Sequence, residues 1–206
     1  MALLKAKVGK LAANFIEGMA CEGGCMYGPG NLLNERLYTQ ARKKFLGEAD
    51  DRGVIENAKE QGFDQLARLW EATSAAEQIH INLEASLVEA EDPSYTRPTA
   101  EAPAPEAIDL NLIASANGEI FETSDMYPTF IKKAQEEGHA KAVKVFTRAK
   151  LAEAVHAEKY LEAYNNIDAA DDDAYYLCPG CGYIHKGDDF EKCPICGVPK
   201  AKFQRF

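Results

Sequence analysis

Residues 134–162 read AQEEGHAKAVKVFTRAKLAEAVHAEKYLE, and residues 58–84 read AKEQGFDQLARLWEATSAAEQIHINLE. A shift of 76 positions lays one on the other, with Gly62 on Gly138, Trp70 on Phe146, Glu77 on Glu153, Ile79 on Val155 and His80 on His156. The chain therefore contains an internal repeat in which each copy carries Glu-x-x-His. On a helix, residues three apart lie on one face, so each copy aims a carboxylate and an imidazole in one direction. One such motif is an ordinary solvated helix face, but two in register need a common cause. Gly118-Glu119-Ile120-Phe121-Glu122 adds a second carboxylate pair at the same spacing. Carboxylates gathered inside a helical bundle are costly unless they bind metal or pair with cations. Two Glu-x-x-His helices with glutamates from further helices form the ligand set of dinuclear carboxylate sites in four-helix bundles. The candidate metal ligands are Glu77, His80, Glu119, Glu122, Glu153 and His156.

The 206 residues suffice for one buried core and a small appendage. A formal net charge of −10 excludes the basic stripe that nucleic acid or an anionic membrane requires. No apolar run has the length of a membrane span, and the start MALLKAKVGK lacks the apolar core of a secretory signal. The expected location is cytoplasmic. All six cysteines fall in close pairs, Cys21/Cys25, Cys178/Cys181 and Cys193/Cys196, which in a reducing compartment favours metal ligation over disulfides.

Apolar spacing predicts a first helix over 31–61, weakened by Gly47 and Gly53. A second runs from Phe63 to Val88, with Trp70 a core residue. DPSYTRPTAEAPAPE at 92–106 holds four prolines and reads as the long crossover that a ferritin-like bundle needs. A third helix spans about Asp109 to Glu137 and should bend at Pro128; a fourth spans Ala140 to Tyr164. The acidic run from Asp168 to Asp173 reads as a tether. The fold class is mainly α: a ferritin-like four-helix bundle over 31–168, preceded by a Gly/Cys segment over 1–30 and followed by a small metal-binding domain over 174–206. His139 and His185 read as surface residues.

Residues 175–206, YYLCPGCGYIHKGDDFEKCPICGVPKAKFQRF, hold two Cys-x-x-Cys pairs, each followed by glycine. Zinc ribbons share this spacing, so spacing alone leaves iron and zinc open. The CPxCG form of both knuckles, shielded by Tyr176, Tyr183, Phe190 and Phe203, resembles rubredoxin and points Cys178, Cys181, Cys193 and Cys196 to one iron.

Residues 58–206 together resemble the rubrerythrin family. The resemblance rests on both Glu-x-x-His motifs, on GEIFETSDMYP at 118–128 and on the C-terminal module. It implies a diiron centre that reduces hydrogen peroxide to water, with electrons passed singly by the rubredoxin-type iron and supplied by an NAD(P)H-dependent donor. By position, Glu77 and Glu153 would bridge the irons, His80 and His156 would cap them, Glu119 and Glu122 would bind terminally, and Tyr127 would hydrogen-bond a ligand carboxylate. It also implies a homodimer, with the rubredoxin module of one subunit approaching the diiron site of the other, and it leaves open an exchange of helices between subunits. The competing classes are a ferroxidase or iron-handling ferritin-like protein, which the rubredoxin-like module disfavours, and a non-enzymatic metalloprotein.

The N-terminal segment stands apart. NFIEGMACEGGC at 14–25, with KKFLGEADDRGVIEN at 43–57, resembles the C-terminal end of iron-only hydrogenases. The remaining cluster cysteines of that family are absent, so hydrogen chemistry does not carry over. Cys21 and Cys25 stay open between a vestigial segment, a cluster shared across subunits and a redox-active thiol pair. Rubrerythrins supply one more glutamate at a position that here is Lys44, and the internal repeat sends Glu119 and Glu122 to Lys43 and Leu46. Glu48, about 6 Å further along a helix than Lys44, is the candidate replacement. Asp51, an open coordination position or a partner subunit's carboxylate are the alternatives.

Overall fold

A computed structural model describes residues 53–97, 106–167, 169 and 171–206. The expected Gly/Cys segment, Cys21, Cys25, Glu48 and most of the predicted first helix lie outside them. The described helices are α1 (Val54–Glu60), α2 (Asp64–Glu91), α3 (Ile108–Phe121), a π-helical turn (Glu122–Met126), α4 (Tyr127–Glu136) and α5 (Ala140–Asn165).

The internal repeat is visible in the backbone. Both α1 and α4 end on a glycine with positive φ, Gly62 at 82° and Gly138 at 75°. At the first, Phe63 N–H donates to Ala58 O and Gly62 N–H to Lys59 O; at the second, His139 N–H donates to Ala134 O and Gly138 N–H to Gln135 O. This paired pattern satisfies the orphan carbonyls of a helix end and needs a left-handed residue, which glycine supplies without strain. The long helices α2 and α5 then start at equivalent positions of the repeat, which puts the two Glu-x-x-His motifs at the same depth.

The expected bend at Pro128 takes a specific form. Proline lacks an N–H, and its ring crowds the carbonyl one turn back. Here the preceding turn is widened: Tyr127 N–H reaches back to Glu122 O, five residues away. Such π turns recur at functional sites, and this one separates the pair Glu119/Glu122 from Tyr127.

Helix α5 packs against α2, α3 and α4, and α1 packs on α2. Leu66, Leu69, Trp70, Ala72 and Ala76 of α2 meet Ile108, Leu112 and Ala116 of α3 and Tyr160 of α5. Full burial of a leucine such as Leu69 or Leu112, both 0 % exposed, is worth about 2 kcal/mol. The Trp70 indole N–H is satisfied by Ser115 Oγ at 3.0 Å, so Trp70 is a core residue, as its spacing predicted.

The C-terminal module is a three-stranded antiparallel sheet of β1 (Tyr175–Leu177), β2 (Ile184–Lys186) and β3 (Gln204–Arg205), in the order β2-β1-β3. Tyr175, Leu177 and Ile184 belong to the same apolar core as the bundle helices. The described end of the acidic run, at Asp171 and Asp173, is pinned. Lys186 pairs with Asp171 and, at 3.2 Å, with Glu162, and Gln65 donates to Asp173 O at 3.0 Å.

Candidate metal centres

The two Cys-x-x-Cys knuckles are backbone twins. Gly182 N–H donates to Cys178 O and Cys178 N–H to Tyr183 O; Gly197 N–H donates to Cys193 O and Cys193 N–H to Val198 O. Gly182 (φ 76°) and Gly197 (φ 79°) make the left-handed steps that close these loops. The loops bring the four sulfurs within 4.8 Å of one another. Cys178, Cys181 and Cys193 are buried, and Tyr183, Ile195, Val198 and Phe203 pack around them. A hydrogen bond from Cys181 lowers the Cys178 thiol to about 5, while the same bond pushes Cys181 up and burial raises Cys193 to about 11, so one sulfur of the cluster is poised as thiolate and its neighbours need a cation to ionise. Cys196 N–H points at Cys193 Sγ.

In the bundle, the side chains of Glu77, Glu119, Glu153 and His156 bring one ligand atom each within 4.8 Å of the others. Glu153 and His156 are 0 % exposed, and His80 is 2 % exposed. The centre of the arrangement is Glu153. Its Oε1 lies 2.7 Å from His80 Nδ1 and its Oε2 lies 2.8 Å from His156 Nδ1. Glu77 Oε2 is 3.7 Å from His80 Nδ1, and Glu119 Oε2 is 3.6 Å from His156 Nδ1. One carboxylate thus spans two imidazoles, each flanked by a second carboxylate. The two halves are unequal, because the Glu77 side chain flanking His80 is 42 % exposed and the Glu119 side chain flanking His156 is 9 % exposed.

The far nitrogens of the two rings are held by the C-terminal module of the same chain. His80 Nε2 lies 3.0 Å from Cys181 O and His156 Nε2 lies 2.9 Å from Gly182 O. A carbonyl oxygen only accepts, so both Nε2 atoms carry hydrogen. Nδ1 is therefore the nitrogen left for a metal; without one it carries the proton that faces Glu153.

These residues fit a pair of metal ions. His80 Nδ1, His156 Nδ1, both Glu153 oxygens and Glu119 Oε2 are buried without a hydrogen bond of acceptable geometry, although they crowd together. Buried polar atoms are rarely left so; a cation between them would satisfy all five. The electrostatics agree. Burial works against charge on both histidines, yet the carboxylates they face, Glu153 and Glu77 at His80 and Glu119 and Glu153 at His156, raise them to about 11 and about 10. The site demands positive charge. Glu119 and Glu122 are pushed up to about 7 and about 8, chiefly by burial.

Tyr127, expected on a ligand carboxylate, instead donates its hydroxyl to Glu84 Oε1 at 2.8 Å. Glu84 is not among the six expected bundle ligands, and sequence reading passed over it. The signal was present: Glu84 follows His80 by four residues and Glu77 by seven, on one helical stripe.

Residues 52–164 match the rubrerythrin family, residues 176–204 match its rubredoxin-like domain, and residues 1–29 match the C-terminal domain of the iron-only hydrogenase large subunit. The chain belongs to the rubrerythrin family. It is 67% identical over 149 residues to nigerythrin of Nitratidesulfovibrio vulgaris, covering 72% of this chain and 74% of that one. Rubrerythrin of the same organism is 33% identical over 186 residues, 84% and 96% of the two chains. The fully reduced, all-ferrous structure of nigerythrin superposes with a TM-score of 0.73 at 65% identity, over 75% of this chain and 76% of that one. The hydrogenase match ends at residue 29, so 43–57 is not part of it, and the rubrerythrin match begins at 52. A rubrerythrin diiron site of Glu and His and a rubredoxin-like tetracysteine site are therefore the two metal centres of this chain, and the family gives it an oxidoreductase character. Among the described residues, no helix is long and apolar enough to cross a membrane.

Proposed function

We propose that this rubrerythrin is a diiron peroxidase that reduces hydrogen peroxide to water. The observation that carries the reading is the pair of hydrogen bonds joining the centres, His80 Nε2 to Cys181 O and His156 Nε2 to Gly182 O. An iron-handling protein has no use for a one-electron carrier bonded to its histidine ligands, whereas a peroxidase must refill its site after every peroxide.

Bound iron would supply redox chemistry at open positions for an O–O bond. In the roles we assign, Glu153 and Glu77 would be shared between two metal ions, His80 and His156 would each hold one through Nδ1, and Glu119 and Glu122 would complete their coordination. The four cysteines would hold a third iron. The backbone of Cys181 and its hydrogen bond to His80 form a continuous route from sulfur to imidazole. Each peroxide takes up two electrons and two protons and leaves as two waters. The four cysteines, with iron bound, would accept electrons one at a time from an NAD(P)H-dependent donor. Within this chain the module covers its own bundle, so the route needs no second subunit. A cytoplasmic homodimer remains the assembly we propose from family resemblance.

Reoxidation of the fully reduced, iron-loaded protein, followed by stopped flow with peroxide and separately with O₂, tests this reading. Peroxide should be the much faster oxidant. Equal rates, or faster reaction with O₂ and accumulation of mineral iron, would refute it in favour of iron handling.

A further inference from the structure

The histidine end of the bundle site is closed. Cys181 O and Gly182 O occupy both Nε2 atoms, and Gly182 is so close that a Cβ there would lie 2.3 Å from His80 Nε2. Protons for peroxide reduction must enter elsewhere. On α2, Glu84 is half-buried beside Ile81 and Val88, each 44 % exposed. Tyr127 is 2 % exposed and bonds Glu84 Oε1. One carboxylate thus links the surface of α2 to a buried hydroxyl that follows the π turn carrying Glu122.

We propose that Glu84 and Tyr127 form the proton path into the bundle site, with Glu84 exchanging protons with solvent and acting on the site through the Tyr127 hydroxyl. The proposal rests on the peroxidase reading above. In the geometry described, Tyr127 donates to an ionised Glu84. Once Glu84 takes a proton from water, its carboxylic O–H can donate to Tyr127 Oη, and the Tyr127 hydrogen is freed to turn inward. Proton transfer then runs from Glu84 to Tyr127 Oη while the original Tyr127 proton passes to the reduced oxygen. Tyr127 ends neutral and Glu84 ends as carboxylate, ready for the next proton. Two such deliveries supply the two protons each peroxide consumes.

The surroundings suit this exchange. The groups facing Glu84 are Glu77 and His80 on its own helix, Glu153 on α5 and Tyr127 on α4. Burial, the largest influence, raises the Glu84 carboxyl, while the Tyr127 hydrogen bond and the His80 charge oppose it. In the metal-free chain Glu84 therefore holds its proton to higher pH than an ordinary glutamate. Tyr127 faces Glu84, Glu153 and Glu122, and burial among them pushes its phenol well above the usual range. It passes protons without losing its own.

Glu84→Gln separates relay from strut, because the amide oxygen still accepts the Tyr127 hydrogen bond but carries no acidic proton. In the reduced, iron-loaded full chain, Glu84→Gln and Tyr127→Phe should each slow single-turnover peroxide reoxidation by about a hundredfold, the scale of general acid catalysis. The double variant should be no slower than either, iron content should be kept, and the wild-type decline in rate as pH rises should disappear. A second readout needs no turnover. In metal-free and zinc-loaded protein, infrared difference spectra on acidification should show a carboxylic C=O band that vanishes in Glu84→Gln and shifts in Tyr127→Phe. Retention of rate and pH profile in Glu84→Gln, with loss only in Glu84→Ala, would make the pair a strut and overturn the proposal. An infrared band indifferent to both variants would overturn it as well. A wild type no faster with peroxide than with O₂ would sink the peroxidase reading and the relay with it, and it is told apart because no variant is involved.

Discussion

Cys181 O and His80 Nε2 lie 3.0 Å apart, so a ligand of the tetracysteine centre and a ligand of the bundle centre share one hydrogen bond. The approach depends on the residue after Cys181. Gly182 leaves no side chain where a Cβ would meet the His80 ring.

Gly182→Ala should therefore push the knuckle off the bundle. Gly197 is its control, since Gly197 has nearly the same φ, 79° against 76°, but nothing within 4 Å of an added Cβ. Both alanine variants carry the strain of a left-handed residue, about 1–2 kcal/mol. Only Gly182→Ala adds the clash. Transfer from the tetracysteine iron to the oxidised bundle site, followed by the colour of the tetracysteine iron, should slow at least about tenfold in Gly182→Ala, which is about 1.4 kcal/mol on the barrier. It should stay within about threefold in Gly197→Ala. Equal slowing in both would mean that strain in the knuckle, not contact with His80, controls the rate.

Cys193→Ser should block steady-state turnover with NAD(P)H-linked donors. It should leave a single peroxide reaction of the chemically prereduced bundle site nearly intact, because the Cys193 sulfur faces Cys181 and Cys196 inside the C-terminal module. Cys21 and Cys25, outside the described residues and outside both rubrerythrin-family matches, should behave oppositely to Cys193. The double serine variant should turn over at close to the wild-type rate.

The long helices, the pairing of the two Glu-x-x-His motifs and the cysteine knuckles were legible in the sequence because each follows from spacing. Glycine punctuation at Gly62 and Gly138 and periods of three and four residues are local facts. The π turn was not legible. Pro128 announces an irregularity, but whether the helix kinks or widens depends on how α4 packs on α5. The partner of Tyr127 was missed for the same reason, since a register change of one residue decides which carboxylate its hydroxyl meets. The docking of the module on His80 and His156 was also out of reach, because a backbone carbonyl leaves no mark in a sequence.

Glu153→Ala removes the carboxylate that both imidazoles face. Breaking a buried charge pair by deleting one partner costs about 3–5 kcal/mol. The metal-free variant should melt well below wild type near neutral pH, and the loaded bundle should lose most of its iron while the tetracysteine iron remains. Iron content unchanged in Glu153→Ala would defeat the assignment of Glu153 as the bridge.

Metal uptake by the bundle should strengthen as pH rises. Glu119 and Glu122 are raised, mainly by burial, to about 7 and about 8 from an ordinary 4.5. A carboxyl raised in the folded state binds more protons folded than unfolded. Its stabilising effect on the metal-free chain is present below the ordinary value and fades as pH climbs through the raised one. The same protons compete with metal. His80 and His156 must also surrender the proton that Glu153 holds at Nδ1. Affinity for ferrous iron should rise about tenfold per pH unit for each proton released between about pH 6 and about pH 8. An indicator dye should register the released protons, and pH-independent affinity would contradict the ligand set.

The two metal positions should fill unequally. Beside His156 stand Glu153 and Glu119, both at most 8 % exposed, with Glu77 within reach. Beside His80 stands only Glu153 from the buried set, with Glu77 half in solvent and Glu122 without a hydrogen bond to either ring. The repeat explains the deficit. The counterparts of Glu119 and Glu122 in the first half are Lys43 and Leu46, so the first half has no carboxylate at the position equivalent to the Glu119 that flanks His156. Glu48 is the replacement read from the sequence, and it lies outside the described residues. Anaerobic titration with a coloured divalent ion such as Co²⁺ should therefore resolve two steps, the first insensitive to changes around residue 48. Glu48→Ala should weaken only the second step, by about tenfold or more if one carboxylate ligand is lost. Two steps that are unchanged in Glu48→Ala would show that the weaker position keeps water where other rubrerythrins place a glutamate, and a single step of two equal ions would remove the asymmetry altogether.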